Sequence, residues 1–500
     1  MRTANSQRIR TARTPLPGRG GLLALALAVV AIAALAAAAA APASRSQDTL
    51  FDLGGSGINL DAPGRAKALD ELQDFGVDTV RVIVQWRQIA PDVNAANKPA
   101  FDATDPNAYP VKNWEALDDL IRGARQRGMN ILLTPSSPTP NWGSRTHSDI
   151  SDPIASDFGQ FVQALGTRYS GNFTPPPPLN PTDPPSTTLP RVDDWSVYNE
   201  PNLTLFLKPQ IRHGVSVAAK TYRELFLAAQ KALQATGHGN DLLLIGETSP
   251  SSGRGGTRPI DFLRGVFCLN AKFKRQGGCS PIDADGWAQH PYDPFDAPFE
   301  EGTHNLLNLA TIDDLTDALK KAKRAGAVRR NLPVYVTEYG VESVPDRRFG
   351  VSQLQQAEFI SISEYLMYLN RRIRTFGQYL LQDDKGNAQT NFQTGLRFDT
   401  GAEKTSYDAF QIALVAQRRT PTQRQVTIWG HVRPDGAPYT VTVKARGPGA
   451  ERTLKTVHTS GAGYFHFSTP YTKGRRYSAE TRLADGTELS GPFVRVYVFK

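Results

Sequence analysis

Between about Leu50 and Arg418 the chain alternates short β-rich runs with helical patterns eight times, and this alternation limits the possible folds more than any other feature. In such βα repeats each helix carries the chain back to begin the next strand, so the strands lie parallel in one sheet. The eight predicted strands are 50–58, 79–86, 130–135, 192–200, 242–247, 284–292, 334–340 and 376–382. Eight such repeats predict an α/β fold, a (β/α)8 TIM barrel within residues 44–418.

The sequence pattern changes after residue 418. In "QVTIWGHV" and "FVRVYVFK" apolar and polar residues alternate, and turn signals such as Pro434-Asp435-Gly436 lie between runs of this kind. Alternation with a period of two is typical of strands with one buried face. Residues 419–500 are therefore predicted to form a small all-β sandwich, which loosely resembles immunoglobulin-like or transthyretin-like modules.

The first 43 residues predict export. They contain five arginines and no acidic residue, and the arginines precede the apolar run "GLLALALAVVAIAALAAAAAAPA". A charged start, an apolar stretch and a small-residue cleavage site are the parts of a secretory signal, here with cleavage near Ser44. The run is also long enough to span a bilayer, so an uncleaved anchor is the alternative. In both cases we expect residues 44–500 to be secreted or extracytoplasmic.

Composition excludes two classes of protein. A hydrophobic content of 40% and a charged content of 21% indicate a globular chain rather than a disordered one. The formal charge is +9, but the five arginines of the first 43 residues leave only +4 for the remainder. No cluster of basic residues with interleaved aromatics occurs, so we expect no nucleic-acid partner. No stable protein partner is inferred either.

Only two cysteines occur, Cys268 and Cys279. In an exported protein such a pair favours a disulfide, and two cysteines without a nearby histidine cluster do not form a metal site. The segment that contains them, 248–283, follows predicted strand five. We therefore expect it to overhang the active face of the barrel and to stiffen one wall there.

Two glutamates end predicted strands. Glu200 closes strand four in "DDWSVYNEP", and Glu338 closes strand seven in "PVYVTEYG". In a TIM barrel the carboxyl ends of the strands form the active face, so both side chains are expected at its mouth. Hydrolysis of a glycosidic bond needs two such carboxyl groups, one as a proton donor and the other as a nucleophile or base.

Asn199-Glu200 after strand four, with Glu338 after strand seven, resembles the clan A glycoside hydrolases, the 4/7 superfamily. In appearance the chain is most similar to exported family 39-like and cellulase-type family 5-like enzymes. The resemblance covers residues 50–418. It implies a retaining hydrolase that cleaves β-linked oligo- or polysaccharides through a covalent glycosyl-enzyme intermediate, with no cofactor and no metal.

The resemblance also implies roles for individual residues. Glu200 is the acid/base, Glu338 is the nucleophile, and Asn199 binds the sugar 2-hydroxyl. Supporting positions match the clan as well: an arginine on strand two, and a His and a Tyr after strand six. These are Arg81, His290 and Tyr292. Two tryptophans after strands two and three, Trp86 and Trp142, are candidates for stacking on sugar or for packing in the protein.

The chain departs from the clan at strand eight, where many members carry a tryptophan under the sugar. Gln378, Tyr379 or Gln382 occupies that region here.

Glu247, at the end of strand five, competes with Glu200 for the acid role. It lacks the preceding asparagine, so we expect substrate contact or a structural role for it.

The residues weigh against three other functions. A catalytically inactive barrel that binds carbohydrate or mediates adhesion is the alternative, but such a protein has no need of both carboxylates. The eight histidines are scattered along the chain and give no ligand cluster for a metal-dependent hydrolase. No G-x-S-x-G motif follows a strand, which excludes a serine hydrolase of that type.

Overall fold

The structure is a computed structural model, and it describes residues 47–54, 59–177, 186–213, 215–302, 304–434 and 437–500. The predicted export segment, residues 1–43, lies outside the described residues. Within the described part no helix is both long and apolar enough to cross a membrane.

Eight parallel strands form the predicted barrel. The bounds of β1 to β8 are Asp48–Asp52, Thr79–Gln85, Asn130–Ser136, Asp194–Ser196, Leu242–Thr248, Gly286–Gln289, Val334–Val336 and Thr375–Tyr379. Their order in the sheet is β8-β1-β2-β3-β4-β5-β6-β7. Hydrogen bonds between Val334 and the chain at 372–374, of 2.8 and 2.9 Å, join β7 to β8 at the remaining gap. The predicted (β/α)8 fold is confirmed.

A helix follows every strand of the barrel. The bounds of α1 to α8 are Ala62–Asp74, Glu115–Gln126, Ala155–Arg168, Ala218–Ala235, Pro259–Val266, Ile312–Arg324, Gln353–Leu369 and Thr405–Gln411. Local sequence sets several of these ends. Asp61 caps α1 by accepting a hydrogen bond from the Gly64 amide, and Ser352 caps α7 in the same way.

The barrel interior changes from apolar to polar along the strands. Its lower part is filled by a cluster of buried side chains, Leu50, Leu132, Leu244 and Ala288. Nearer the carboxyl ends, buried polar groups replace them, and the Thr134 and Ser196 hydroxyls hydrogen bond at 2.6 Å. The polar side chains of the active face therefore rest on a packed base.

Cys268 and Cys279 form the predicted disulfide, but the expected position of this loop is wrong. Helix α5 lies between β5 and the cysteines, so the chain has already returned to the lower end of the barrel at Cys268. Arg275 of this loop donates to the Gly326 carbonyl, in the turn that leads into β7. The disulfide thus braces the face opposite the mouth.

Eight further strands form the β-sandwich. The bounds of β9 to β16 are Ile412–Arg418, Gln425–Val432, Thr440–Arg446, Arg452–His458, Tyr464–Pro470, Arg476–Arg482, Glu488–Ser490 and Val496–Val498. One sheet has the order β13-β10-β9-β16 and the other β12-β11-β14-β15. Apolar side chains of both sheets, such as Leu414, Val441 and Tyr477, share one core. The first of these strands begins before residue 419, directly after α8.

Strand β9 joins the sandwich to the barrel because both of its faces are buried. Ile412 and Leu414 point into the sandwich core, whereas Ala413 and Val415 belong to a separate cluster that includes Phe359 of α7. The sandwich therefore packs directly against a helix of the barrel.

Candidate active site

The structure brings six of the predicted site residues together at the mouth of the barrel. These are Arg81, Asn199, Glu200, His290, Tyr292 and Glu338, and hydrogen bonds or ion pairs connect all of them. Four different strands supply them, and all but Arg81 lie just beyond the last residue of a strand. The carboxyl ends of parallel strands meet at one face of the barrel, which explains the convergence.

Arg81 is the centre of this arrangement. Its guanidinium is fully buried; one terminal nitrogen donates to Asp52 at 2.6 Å and to Glu338 at 2.9 Å. The other donates to Asn199 at 2.7 Å and to Glu247 at 3.1 Å. Burial lowers the pKa of Arg81, but the charges of Glu247, Asp52 and Glu338 outweigh it and raise that pKa above its ordinary value. Arg81 is thus a fixed cation.

Glu338 accepts hydrogen bonds on both of its oxygens. Arg81 donates to Oε2, and the Tyr292 hydroxyl donates to Oε1 at 2.9 Å. The side chain is only 9% exposed. Burial raises the pKa of Glu338, and the charges of Glu200 and Asp52 act in the same direction, against His290 and Arg81. The result is a pKa above the ordinary value.

His290 lies between the two glutamates. Its Nδ1 atom is 3.0 Å from Glu200 Oε1 and 3.5 Å from Glu338 Oε2. Because both oxygens contact the same nitrogen, they are separated by no more than the sum of these distances, 6.5 Å. The two carboxyl groups are therefore close enough to act on the same bond of a bound molecule.

The backbone at the ends of β4 and β5 is left-handed at three non-glycine residues, the first of which is Tyr198 with φ of 68°. Glu200 has φ of 40° and Glu247 has φ of 48°. Such a conformation costs roughly 1–3 kcal/mol and persists only where the surroundings enforce it. Here the Glu200 amide donates to the Glu247 carbonyl at 2.9 Å, and the Asn199 amide donates to Ser136 Oγ at 2.9 Å. These bonds fix the Asn199-Glu200 pair at the mouth.

Trp86 and Trp142 are not part of the mouth. Trp86 has no exposed surface; it stacks on Phe161 and meets the edge of Trp142. Trp142 is 3% exposed, and its indole donates to the Pro91 carbonyl at 3.0 Å. A ring without an exposed face cannot stack on a sugar, so packing is the role that the structure gives to both.

At the end of β8 the structure distinguishes the three candidates. Gln378 and Gln382 are held by carbonyls of the following loop, those of Thr394 and Asp399. Tyr379 instead lies perpendicular to Tyr292, with ring centroids 6.5 Å apart. Burial raises its pKa, as do the charges of Glu338 and Asp52. Tyr379 is therefore the ring beside the nucleophile candidate.

Sequence reasoning missed Asp52 and assigned no definite role to Glu247. Asp52 ends β1 and binds Arg81, whereas Glu247 accepts hydrogen bonds from Arg81, His290 and Thr337. Both are buried acids at strand ends, in "LFDLGG" and "LLLIGET". The sequence signal that could have identified them is an acidic residue within an apolar run, with glycine nearby.

Among the described residues no group of three or more His, Cys, Asp or Glu side chains is arranged to hold a metal ion.

Comparisons with known proteins concern the fold. A family 39 glycoside hydrolase from Bacteroides cellulosilyticus WH2 superimposes with a TM-score of 0.50 at 15% identity, over 86% of this chain and 80% of that one. A glucosidase from Croceicoccus marinus gives a TM-score of 0.51 at 14% identity, over 89% and 97%. The fold is that of solved glycoside hydrolases. Neither a protein-family model nor a curated protein matches the chain.

These similarities confirm the predicted resemblance to clan A glycoside hydrolases at the level of the fold. They extend over both the barrel and the sandwich, since each covers more than 85% of the chain. The chemistry has to be argued from the residues at the mouth.

Proposed function

We propose that this protein is a retaining glycoside hydrolase that cleaves β-linked bonds in an oligo- or polysaccharide. The observation that carries the proposal is the pair Glu200 and Glu338, which share His290 and whose nearest oxygens lie at most 6.5 Å apart. Retaining enzymes hold their carboxyl groups about 5–5.5 Å apart, whereas inverting enzymes need about 6.5–9.5 Å for an intervening water. The separation here favours the retaining geometry.

In the first step Glu338 attacks the anomeric carbon while Glu200 donates its proton to the departing oxygen. The Glu338 carboxylate thereby becomes part of a glycosyl ester, and Glu200 becomes ionised. Arg81 and Tyr292 hold the nucleophile in position for this attack through their hydrogen bonds to its two oxygens. In the second step Glu200 takes a proton from water, which attacks the same carbon and releases Glu338.

Asn199 is proposed to bind the sugar through its amide nitrogen. Arg81 donates to the amide oxygen, which fixes the orientation of the group. A hydroxyl beside the anomeric carbon would then accept from the amide N–H, and Tyr379 would form the side of the sugar site where related enzymes carry tryptophan. The predicted leader and the disulfide favour an extracytoplasmic site of action.

The test is hydrolysis of a panel of β-linked polysaccharides and aryl β-glycosides by the protein, by Glu338→Ala and by Glu200→Ala. Glu338→Ala should lower kcat by at least about 10⁴-fold, as removal of a nucleophile does. Added azide should partly restore turnover and give a product of inverted configuration. Glu200→Ala should lose about 10²–10⁴-fold on natural substrates and far less on those with good leaving groups, which need little protonation.

A catalytically inactive carbohydrate-binding or adhesion protein is the competing function. It predicts no hydrolysis of any substrate, together with equal retention of the protein and Glu338→Ala by one polysaccharide. That result would overturn the proposed hydrolase. Equal losses on good and poor leaving groups in Glu200→Ala would overturn only the acid/base assignment.

A further inference from the structure

Glu247 is a carboxylate at the mouth that the proposed reaction does not use. It has no exposed surface, so it does not reach a substrate. Its Oε2 atom accepts from Arg81 at 3.1 Å, from His290 Nε2 at 2.8 Å and from the Thr337 hydroxyl at 2.7 Å. A buried carboxylate with three donors on one oxygen is held in place and ionised.

His290 is bound on both ring nitrogens. Nε2 faces Glu247, and Nδ1 faces Glu200 at 3.0 Å and Glu338 at 3.5 Å. An ionised carboxylate only accepts hydrogen bonds, so Nε2 must carry a proton towards Glu247. When Glu200 is ionised, Nδ1 must carry one as well, and when Glu338 is ionised instead, a proton on Nδ1 faces that charge at 3.5 Å. An imidazole with both nitrogens protonated is a cation.

The charges around the ring favour the same state. Among the described residues, the buried cluster holds four carboxyl groups and one cation besides His290, which is Arg81. The carboxyl groups are Asp52, Glu200, Glu247 and Glu338. With Glu200 protonated and His290 neutral, the cluster would carry two uncompensated negative charges in a buried site, which is costly. With His290 charged, Asp52 and Glu247 are balanced by the two cations, and a single negative charge remains for the catalytic pair.

We propose that Glu247 is a positioning residue that keeps His290 doubly protonated, so that a fixed Nδ1–H donor lies between Glu200 and Glu338 throughout the reaction. This inference rests on the proposed function of the two glutamates. In the first step negative charge passes from Glu338 to Glu200, and in the second it passes back. A donor within reach of both carboxylates stabilises whichever one is ionised, and its own proton does not move.

The groups that face the ring support this role. Burial lowers the pKa of His290, but Glu338, Glu200 and Glu247 outweigh burial and the opposing charge of Arg81, and they raise it to about 10. Burial raises the pKa of Glu247, but Arg81 and His290 outweigh it and lower that pKa to about 2. Across the neutral range both partners of this pair are therefore charged.

The protonation state can be measured without any substrate. The experiment is ¹⁵N NMR of the imidazole side chains in the full chain at pH 8, with His290→Asn to assign the signal. We expect both His290 nitrogens to be protonated at pH 8 in the unmodified protein. In Glu247→Gln the titration of His290 should move to lower pH by about 1–3 units, because a buried opposite charge is lost. Glu342→Gln is the control, since Glu342 accepts from the Gln393 amide and does not contact His290.

A neutral His290 at pH 8 in the unmodified protein would overturn the proposal, even if Glu247→Gln failed to fold. So would an unchanged titration in folded Glu247→Gln. Kinetics give a second readout: the alkaline limb of kcat/KM should move down with the His290 titration in Glu247→Gln and should return towards normal in Glu247→Asp. Absence of hydrolysis by the unmodified protein would contradict the proposed function, whereas the NMR result would still decide the state of His290.

Discussion

Arg81 is the residue that connects the site to the barrel. It binds side chains that end β1, β4, β5 and β7, namely Asp52, Asn199, Glu247 and Glu338. A planar guanidinium offers donors on two edges at fixed angles, which a lysine ammonium cannot do. One buried side chain thereby sets the relative positions of residues from four strands.

The pH dependence of activity follows from Glu338. As the proposed nucleophile Glu338 must be ionised, so activity should be present above its pKa and be lost as the pH falls through it. Because burial raises this pKa, the acid limb of kcat/KM should lie above the ordinary glutamate value of about 4.3. Measurement of kcat/KM from pH 3 to pH 8 checks this. A midpoint at or below the ordinary value would show that the nucleophile is not the buried Glu338.

Tyr379 should matter for sugar binding more than for chemistry. Its ring lies beside Tyr292 at the end of β8. Tyr379→Ala should raise KM several-fold, because stacking on an aromatic ring contributes about 0.5–1.5 kcal/mol. Tyr379→Phe, which keeps the ring, is the matched control and should have a KM close to that of the unmodified protein. An unchanged KM in Tyr379→Ala would remove this residue from the proposed sugar site.

At the scale of single residues, the sequence predicted those site residues that belong to recognisable motifs. The Asn199-Glu200 pair, Glu338, Arg81, His290 and Tyr292 stand at strand ends in an order that resembles a known clan, and the structure joins them. Trp86 carried no comparable signal, because a tryptophan after a strand can point into the protein as easily as into the mouth. Asp52 belongs to no motif, so only the structure could connect it with Arg81.

At the scale of elements, the direction of each loop decides its role. The eight strands agree with their predicted ranges to within a few residues at most ends, since buried strands have a strong apolar pattern. The bounds of helix α5 were not predicted within 248–283, because eight residues in "PIDFLRGV" are too few to establish a helical period. That helix reverses the chain and moves the cysteine loop from the expected mouth to the opposite face.

The disulfide should therefore support stability and not activity. Replacing both cysteines, in Cys268→Ser with Cys279→Ser, should lower the free energy of unfolding by about 2–3 kcal/mol, as expected for a loop of this length. kcat/KM at 25 °C should be unchanged, because the loop braces the turn before β7. Thermal unfolding and kinetics on the same preparation check the expected loss of stability and the unchanged kcat/KM. A large loss of kcat/KM in the folded variant would contradict the position of the loop at the face opposite the mouth.

At the scale of the whole molecule, buried charges join the sandwich to the barrel. Glu364 of α7 is bound by His431 at 2.6 Å and by Arg433 at 2.5 Å, both from the sandwich side. Glu358, six residues earlier on the same helix, accepts from the Arg495 amide at 2.7 Å and from the Tyr497 hydroxyl at 2.7 Å. Helix α7 follows the strand that leads to Glu338, so the sandwich stabilises the barrel next to its catalytic side.

Removal of Glu364 from its contacts with His431 and Arg433 should lower the free energy of unfolding strongly. Glu364→Ala leaves Arg433 buried without its carboxylate, which costs about 3–5 kcal/mol. The control is Glu480→Ala, which breaks the partly exposed pair with Lys444 and should cost much less, because solvent screens that pair. Urea unfolding of both variants measures the difference. Equal free energies of unfolding in the two variants would show that the contact between sandwich and barrel contributes little to stability.

The central claim is that Glu338 becomes covalently attached to a sugar. The most direct measurement is mass spectrometry of the protein after reaction with a panel of 2-deoxy-2-fluoro β-glycosides that carry good leaving groups. The 2-fluorine slows both the formation and the hydrolysis of the glycosyl ester, and the good leaving group accelerates only its formation, so the intermediate accumulates. We expect a mass increase of one fluoro sugar per chain, located by digestion in the peptide that contains Glu338. A label on any other residue, or hydrolysis without any trapped intermediate across the panel, would contradict the account.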